Sequence, residues 1–201
     1  MTRILAVLFV LIVTVAGCAQ DTSKASDPGP MQTSTSTLEP ITPAGIAAVV
    51  QELLGADQVA GFSAGGEDDT VAVEVRFPGA AKDILVVAVQ IEGDAPVTSC
   101  ADLSDRMTGP GACEESADGT ILASGVGEAF SDENLSGSTV MAQSVNPGTG
   151  RVVFALYETY GKRGVLDPAA LSAIVSDERL AALTAPTTNE AGARLDVDPA
   201  R

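Results

Sequence analysis

A chain of 201 residues, 45% of them hydrophobic, is long enough for one ordinary core once its N-terminal apolar run is set aside. Its 27 acidic and 11 basic residues give a net charge of −16, which excludes the Lys/Arg footprint that nucleic acid and anionic membrane surfaces require. Histidine is absent and aromatics make up only 3%. That removes the usual neutral-pH general base, the usual nitrogen ligand for zinc or copper, and most platforms for stacking bases or sugars.

At the N-terminus, residues 1–3 carry one positive charge, and residues 4–16, ILAVLFVLIVTVA, form an uncharged apolar run of 13 residues. A bilayer-spanning helix needs roughly 20 residues, so the run has the length of a signal peptide's apolar region instead. It ends in Val15-Ala16-Gly17-Cys18. This resembles the lipobox of bacterial lipoproteins, in which an aliphatic and two small residues precede a cysteine. The resemblance implies a signal peptide over 1–17, diacylglycerol attachment to the Cys18 thiol, with palmitate-type chains, cleavage before Cys18, and anchorage at the outer face of the cell membrane. Acyl chains bury about 0.8 kcal/mol per CH₂, so two or three hold a protein durably. Residues 18–41 then read as lipidated cysteine plus a Ser-, Thr-, Pro- and Asp-rich tether with a reach of roughly 25 Å.

With Cys18 acylated, Cys100 and Cys113 remain as an even pair in an oxidising compartment. They flank ADLSDRMTGPGA, in which Gly109-Pro110-Gly111 turns the chain back, and no CxxC motif or histidine competes for them. A structural disulfide is expected, adding about 3 kcal/mol in the chain-entropy model.

Thr42-Pro43 is a helix start, a capping hydroxyl followed by proline at the first helical position. Ile46, Val49, Val50, Leu53 and Leu54 recur at helical spacing before Gly55, so a helix is predicted over 43–54. A glycine-rich loop, GFSAGGEDD, precedes the alternating strand TVAVEVRF (70–77). Pro78-Gly79 begins a turn, and the nearly continuous apolar run ILVVAVQI (84–91) reads as the most buried strand, covered on both faces for part of its length. TILAS (120–124) is a short strand, and 139–145 and 151–157 form a hairpin around NPGTG. Asp167-Pro168 opens a second helix carrying Leu171, Ile174 and Val175, with a further short turn carrying Leu180 and Leu183. Hairpin-length connections predict an α+β fold: an antiparallel sheet of about five strands, with an N-terminal and a C-terminal helix on one face. The single domain is placed at 42–184 and a loose tail at 185–201. The layout as a whole is similar to surface lipoproteins of high-GC Gram-positive (actinobacterial) type, a group with no settled activity, so this likeness implies an address rather than a reaction.

Several constellations touch on chemistry. Gly61-Phe62-Ser63-Ala64-Gly65 matches the G-x-S-x-G nucleophile elbow, but a strand rather than a helix follows, and only Lys82 or Lys162 could replace the missing histidine. Asp132-x-Asn134-x-Ser136-Gly137 matches the first half of a calcium loop, whose twelfth position falls on Gln143 rather than on a bidentate carboxylate. Glu67, Asp68 and Asp69 read as a solvated loop end or a patch for a cation or basic partner. Gly125-Val126-Gly127 follows a strand, but Phe130 stands where a dinucleotide loop needs its third glycine. Carboxylate pairs for glycoside hydrolysis lack aromatic neighbours to hold a sugar ring.

No catalytic residue, cofactor or metal ligand is therefore assigned. The leading expectation is a lipid-anchored, extracytoplasmic, non-catalytic binding or accessory domain of the cell envelope. It touches the membrane through Cys18, has an envelope protein as partner, and engages no nucleic acid. The alternative is a carrier of an apolar or lipid ligand between sheet and helices. A hydrolase using Ser63 or acidic residues ranks third.

Overall fold

The computed structural model describes residues 37–91, 99–104, 111–127, 130–132, 135–160 and 166–199. The expected signal peptide, Cys18 and most of the expected tether lie outside them, as do Gly109, Pro110, Asn134 and Lys162. The described residues belong to one compact unit, 35–201.

Helix α1, Pro43–Leu54, forms where its spacing predicts it. The Thr42 side chain accepts from the Gly45 N–H at 3.1 Å, and the Gly55 N–H closes the far end on the Gln51 carbonyl at 2.9 Å. Gly55 takes φ +92°, open to glycine without a Cβ penalty. Ile46, Val49 and Val50 are at most 1% exposed, each worth about 2 kcal/mol of apolar burial. Leu53 departs from the predicted stripe and is exposed.

Strands β2 (Gly61–Gly65), β3 (Thr70–Phe77) and β4 (Ala80–Gln90) follow, and then the five-residue helix α2 (Cys100–Ser104). Next come β5 (Gly111–Glu115), β6 (Ile121–Val126), β7 (Phe130–Asp132), β8 (Leu135–Asn146) and β9 (Arg151–Thr159). Helix α3, Pro168–Ser176, is capped by Asp167, which accepts from the Ala170 N–H at 2.9 Å. Helix α4 (Pro186–Gly192) and the two-residue strand β11 (Val197–Asp198) end the fold.

The main sheet runs β11-β2-β3-β4-β9-β8-β6-β5, with β7 pairing to β8 off this path. All its pairings are antiparallel except that of β11 with β2, so the sheet is mixed. A separate two-stranded ribbon joins β1 (Glu39–Pro40) to β10 (Leu183–Thr184).

This overturns the expected sheet of about five strands with only two helices. The added strands β2, β5, β7 and β11 are two to five residues long and carry no alternation of large apolar side chains. Their pairing is imposed by neighbours rather than encoded locally. The loose tail expected at 185–201 is likewise corrected. Residues 186–198 supply α4 and β11, and α4 packs on α1 so closely that a Cβ at Gly192 would run into the Ala44 carbonyl. PTTNEAG has no apolar stripe because small-residue contact, not a broad hydrophobic face, seats it.

Side chains at 73, 75, 85, 87, 153, 155 and 157 point from the sheet toward α1 and α3, where they meet Leu171, Ile174 and Val175; each of these residues is 0% exposed. At one corner of this core Asp83 is buried, accepting from the Tyr157 hydroxyl at 2.9 Å, the Thr159 hydroxyl at 3.1 Å and the Tyr160 N–H at 3.0 Å. Tyr157 also meets the Phe77 ring edge-on at 5.5 Å. Across the α3 end, the Arg151 guanidinium donates to the carbonyls of Leu180, Val175 and Asp177 and to the Ser144 hydroxyl, at 2.7–2.9 Å. At the N-terminal side Asn189 clasps the ribbon. Its carbonyl oxygen accepts from the Thr42 N–H and hydroxyl, while its amide donates to the Glu39 carboxylate and the Pro40 carbonyl.

Candidate binding surface

Helices α1 and α3 share one face of the main sheet, so alternate residues of its strands point to the other. Cross-strand register lays those residues out in rows. Val86 of β4 sits opposite Leu156 of β9, which sits opposite Met141 of β8. In the next row Ala88 faces Phe154, and on the other side Ile84 faces Glu158. Val86, Ala88, Ile84, Leu156, Phe154 and Met141 are each half-buried, whereas their neighbours 85, 87, 153 and 155 are fully buried. At about 4.8 Å between strands, the apolar band is roughly 10–15 Å wide. The continuous run 84–91 thus has one sealed face and one partly open face, rather than two covered ones.

The band has a polar frame. Glu74 lies opposite Val86 on β3, and Arg76 lies opposite Ile84. Arg76 donates to Asp198 at 2.7 Å and to the Ser63 hydroxyl at 3.1 Å, both through Nη2. Beyond Glu158, the Tyr160 hydroxyl donates to the Glu158 carboxylate at 3.3 Å. Burial first, and the Glu158 charge second, hold the Tyr160 phenol above its ordinary range.

At its far end this face is closed by a second small core. Cys100 at the start of α2 and Cys113 of β5 form a disulfide, with Cα atoms 5.7 Å apart. The bridge packs α2 over Ile121, Ala123, Val145 and Val152. The pairing of Cys100 with Cys113 is as the sequence gives it, and it does more than close a loop: it gives the sheet a lid at one end.

The other sequence motifs resolve into ordinary structure. Ser63 lies inside β2, opposite Glu74, instead of on a strand-to-helix turn, and among the described residues its hydroxyl meets only Arg76. Lys82 is exposed on β4, and Lys162 lies outside the described residues, so nothing brings a base to Ser63. The calcium-like stretch is a hairpin: Asp132 of β7 pairs with Leu135 of β8, and Asn134 lies outside the described residues. Gln143 is six residues beyond Gly137 along β8, about 20 Å at strand rise, so the twelve positions do not close on one ion. Glu67, Asp68 and Asp69 are exposed on the turn between β2 and β3, where the Thr70 N–H bonds the Glu67 carbonyl. Gly125 pairs with Met141, and the Gly127 N–H donates to the Thr139 carbonyl, continuing a ladder instead of opening a helix. No helix among the described residues is long and apolar enough to cross a membrane.

The polar residues that hold this surface in place, Arg76, Asp83, Arg151 and Asn189, have partners 13 to 150 positions away except for the Arg151–Ser144 bond, and no local pattern marks them. Against known proteins, the chain matches no protein-family model and no curated protein.

Proposed function

We propose that the protein is a lipid-anchored, extracytoplasmic, non-catalytic domain of the cell envelope that binds a partner protein through the face of its sheet opposite α1 and α3. The observation that carries this reading is the apolar band of Val86, Leu156, Met141, Ala88, Phe154 and Ile84, framed by Glu74, Arg76 and Glu158. An apolar centre with a polar rim is the anatomy of a protein-binding surface. The Cys100–Cys113 disulfide suits an oxidising compartment, and the Val15–Cys18 motif supplies the address and the anchor. The carrier reading has less support, since the space between sheet and helices is filled by side chains that are 0% exposed. A Ser63 hydrolase has less still, because its hydroxyl is engaged by Arg76 within a strand.

The test uses the full-length protein expressed in its membrane. Metabolic labelling with a palmitate analogue is expected to mark it, and Cys18→Ala is expected to abolish the label; an unacylated, uncleaved N-terminus overturns the address. For the surface, cross-linking in envelope membranes is compared between the native chain and a Val86→Glu/Leu156→Glu variant. The expected result is one enriched partner, lost by at least tenfold in the variant while its circular dichroism is kept. A partner captured equally by both, or none at all, overturns the face as the binding surface.

A further inference from the structure

We propose that the outer edge of β5 is a docking strand for an extended, basic polypeptide segment, which joins the sheet by strand addition. This uses different atoms from the face opposite α1 and α3 and does not depend on that reading.

Among the described residues, strand β5 is last in the sheet order and is paired on one side only, with β6. The Ser116 N–H bonds the Thr120 carbonyl at 2.8 Å, which makes that position a hydrogen-bonded pair. Antiparallel pairs alternate, so Glu114↔Leu122 and Ala112↔Ser124 direct their backbone groups inward. The N–H and C=O groups of Gly111, Cys113 and Glu115 then face outward along the free edge. Gly111, Ala112, Glu114 and Glu115 are exposed.

Natural sheets blunt such edges with very short strands, charged side chains (Lys above all), Pro or a covering element. The opposite edge of this sheet is protected in that way: β11 is two residues long, and its Asp198 is ion-paired with Arg76. In contrast, β5, with sequence GACEE, holds no lysine or proline over five residues. Its backbone is also fixed from behind. The disulfide ties Cys113 to α2, and the Cys100 N–H donates to the Glu115 carboxylate at 2.9 Å. A rigid edge loses little entropy when a strand is added, which is what strand-addition sites require.

Charge complementarity identifies the occupant. A groove of about 600 Å³ is lined by residues 114–118, Thr120 and Leu122 of the β5–β6 hairpin, with Ser176 from the last turn of α3; the Asp118 carboxylate accepts from Ser116 and Thr120, and Glu115 from the Cys100 N–H, so Glu114 is the carboxylate left to meet a ligand. Among the described residues, none that lines it is basic. Alternate side chains of an added strand fall on one face, so every second residue would reach this groove, and Lys or Arg there would be favoured. The open backbone makes the site; the carboxylates select what enters it.

The probe is a nine-residue peptide of alternating lysine and valine, titrated onto the full-length protein at low salt and followed by fluorescence anisotropy and amide exchange. Binding is expected, with slowed exchange at Gly111, Cys113 and Glu115. Affinity should fall at least tenfold in Glu114→Lys, less in Glu114→Gln, and stay unchanged in Glu190→Lys, the same charge change at an exposed position of α4. Equal binding by the same peptide with N-methylated backbone amides overturns strand addition and leaves non-specific charge attraction. So does insensitivity to Glu114→Lys, or amides at Gly111, Cys113 and Glu115 that are already protected in the free protein.

Discussion

Arg151 begins β9 with its guanidinium turned under the end of α3, where it donates to the carbonyls of Val175 and Leu180 and to that of Asp177, which also accepts from the Leu180 N–H. One planar fork reaches all three and the Ser144 hydroxyl as well, a geometry that an ammonium group cannot reproduce. Burial lowers its affinity for the proton, and Asp177 and Glu178 nearby work in the opposite direction. Arg151→Lys is therefore expected to cost about 2–3 kcal/mol, read as a lower urea midpoint at constant slope. Asp83 answers the same need at the other corner, accepting from Tyr157, Thr159 and Tyr160. Neither residue could be singled out from the sequence. Arg151 reads there as the residue after a turn, and Asp83 as a polar flank of an apolar run, because the groups that define them are 24 to 77 positions away, apart from the Ser144 hydroxyl.

Elements that carry their own instructions were legible. Helix α1 has its cap, its proline, its stripe and its closing glycine within fourteen consecutive residues, 42–55, and α3 repeats the cap-and-proline opening. The hairpin of β8 and β9 pairs Asn146 with Arg151 around the turn residues that announce it. Strands β5 and β11 carry no such instructions. Strand β5 is held by a bridge to α2, and β11 by two residues of parallel pairing and one ion pair. The face opposite α1 and α3 falls between these cases. Its apolar residues in 84–91 were visible, but which half of them was sealed depended on where α1 and α3 landed. The bridge is the firmest of the links made by short elements. Cys100→Ser/Cys113→Ser is expected to lower stability by about 3 kcal/mol, with amide exchange rising first in α2 and β5 while α1 and β4 stay protected. Uniform loosening across the sheet would show that the small core is not a separate unit.

At the scale of the whole molecule, charge dominates. A net charge of −16 stores self-repulsion at neutral pH, and mild acidification relieves part of it. Against that stands Asp177, whose carboxyl is held below its ordinary range chiefly by hydrogen bonds from the Arg179 side chain. A depressed carboxyl contributes fully above its unfolded value near 3.8, and that contribution is lost as pH falls through its lower folded value. The melting temperature is accordingly expected to hold or rise from pH 7 to about 5 and to drop below about 4. Asp177→Asn should be about 1 kcal/mol less stable at pH 7 and show a shallower acid limb; an identical limb in both proteins would remove Asp177 from the account.

The clasp at Asn189 has a mechanical consequence. Any load arriving along the chain from before Thr37 meets the domain at Glu39–Pro40, held by two residues of ribbon and one side-chain amide, before it meets the main sheet. The ribbon can peel away while every strand from β2 to β9 keeps its partners. A sharp pull is then absorbed by the ribbon, and the main sheet keeps its shape.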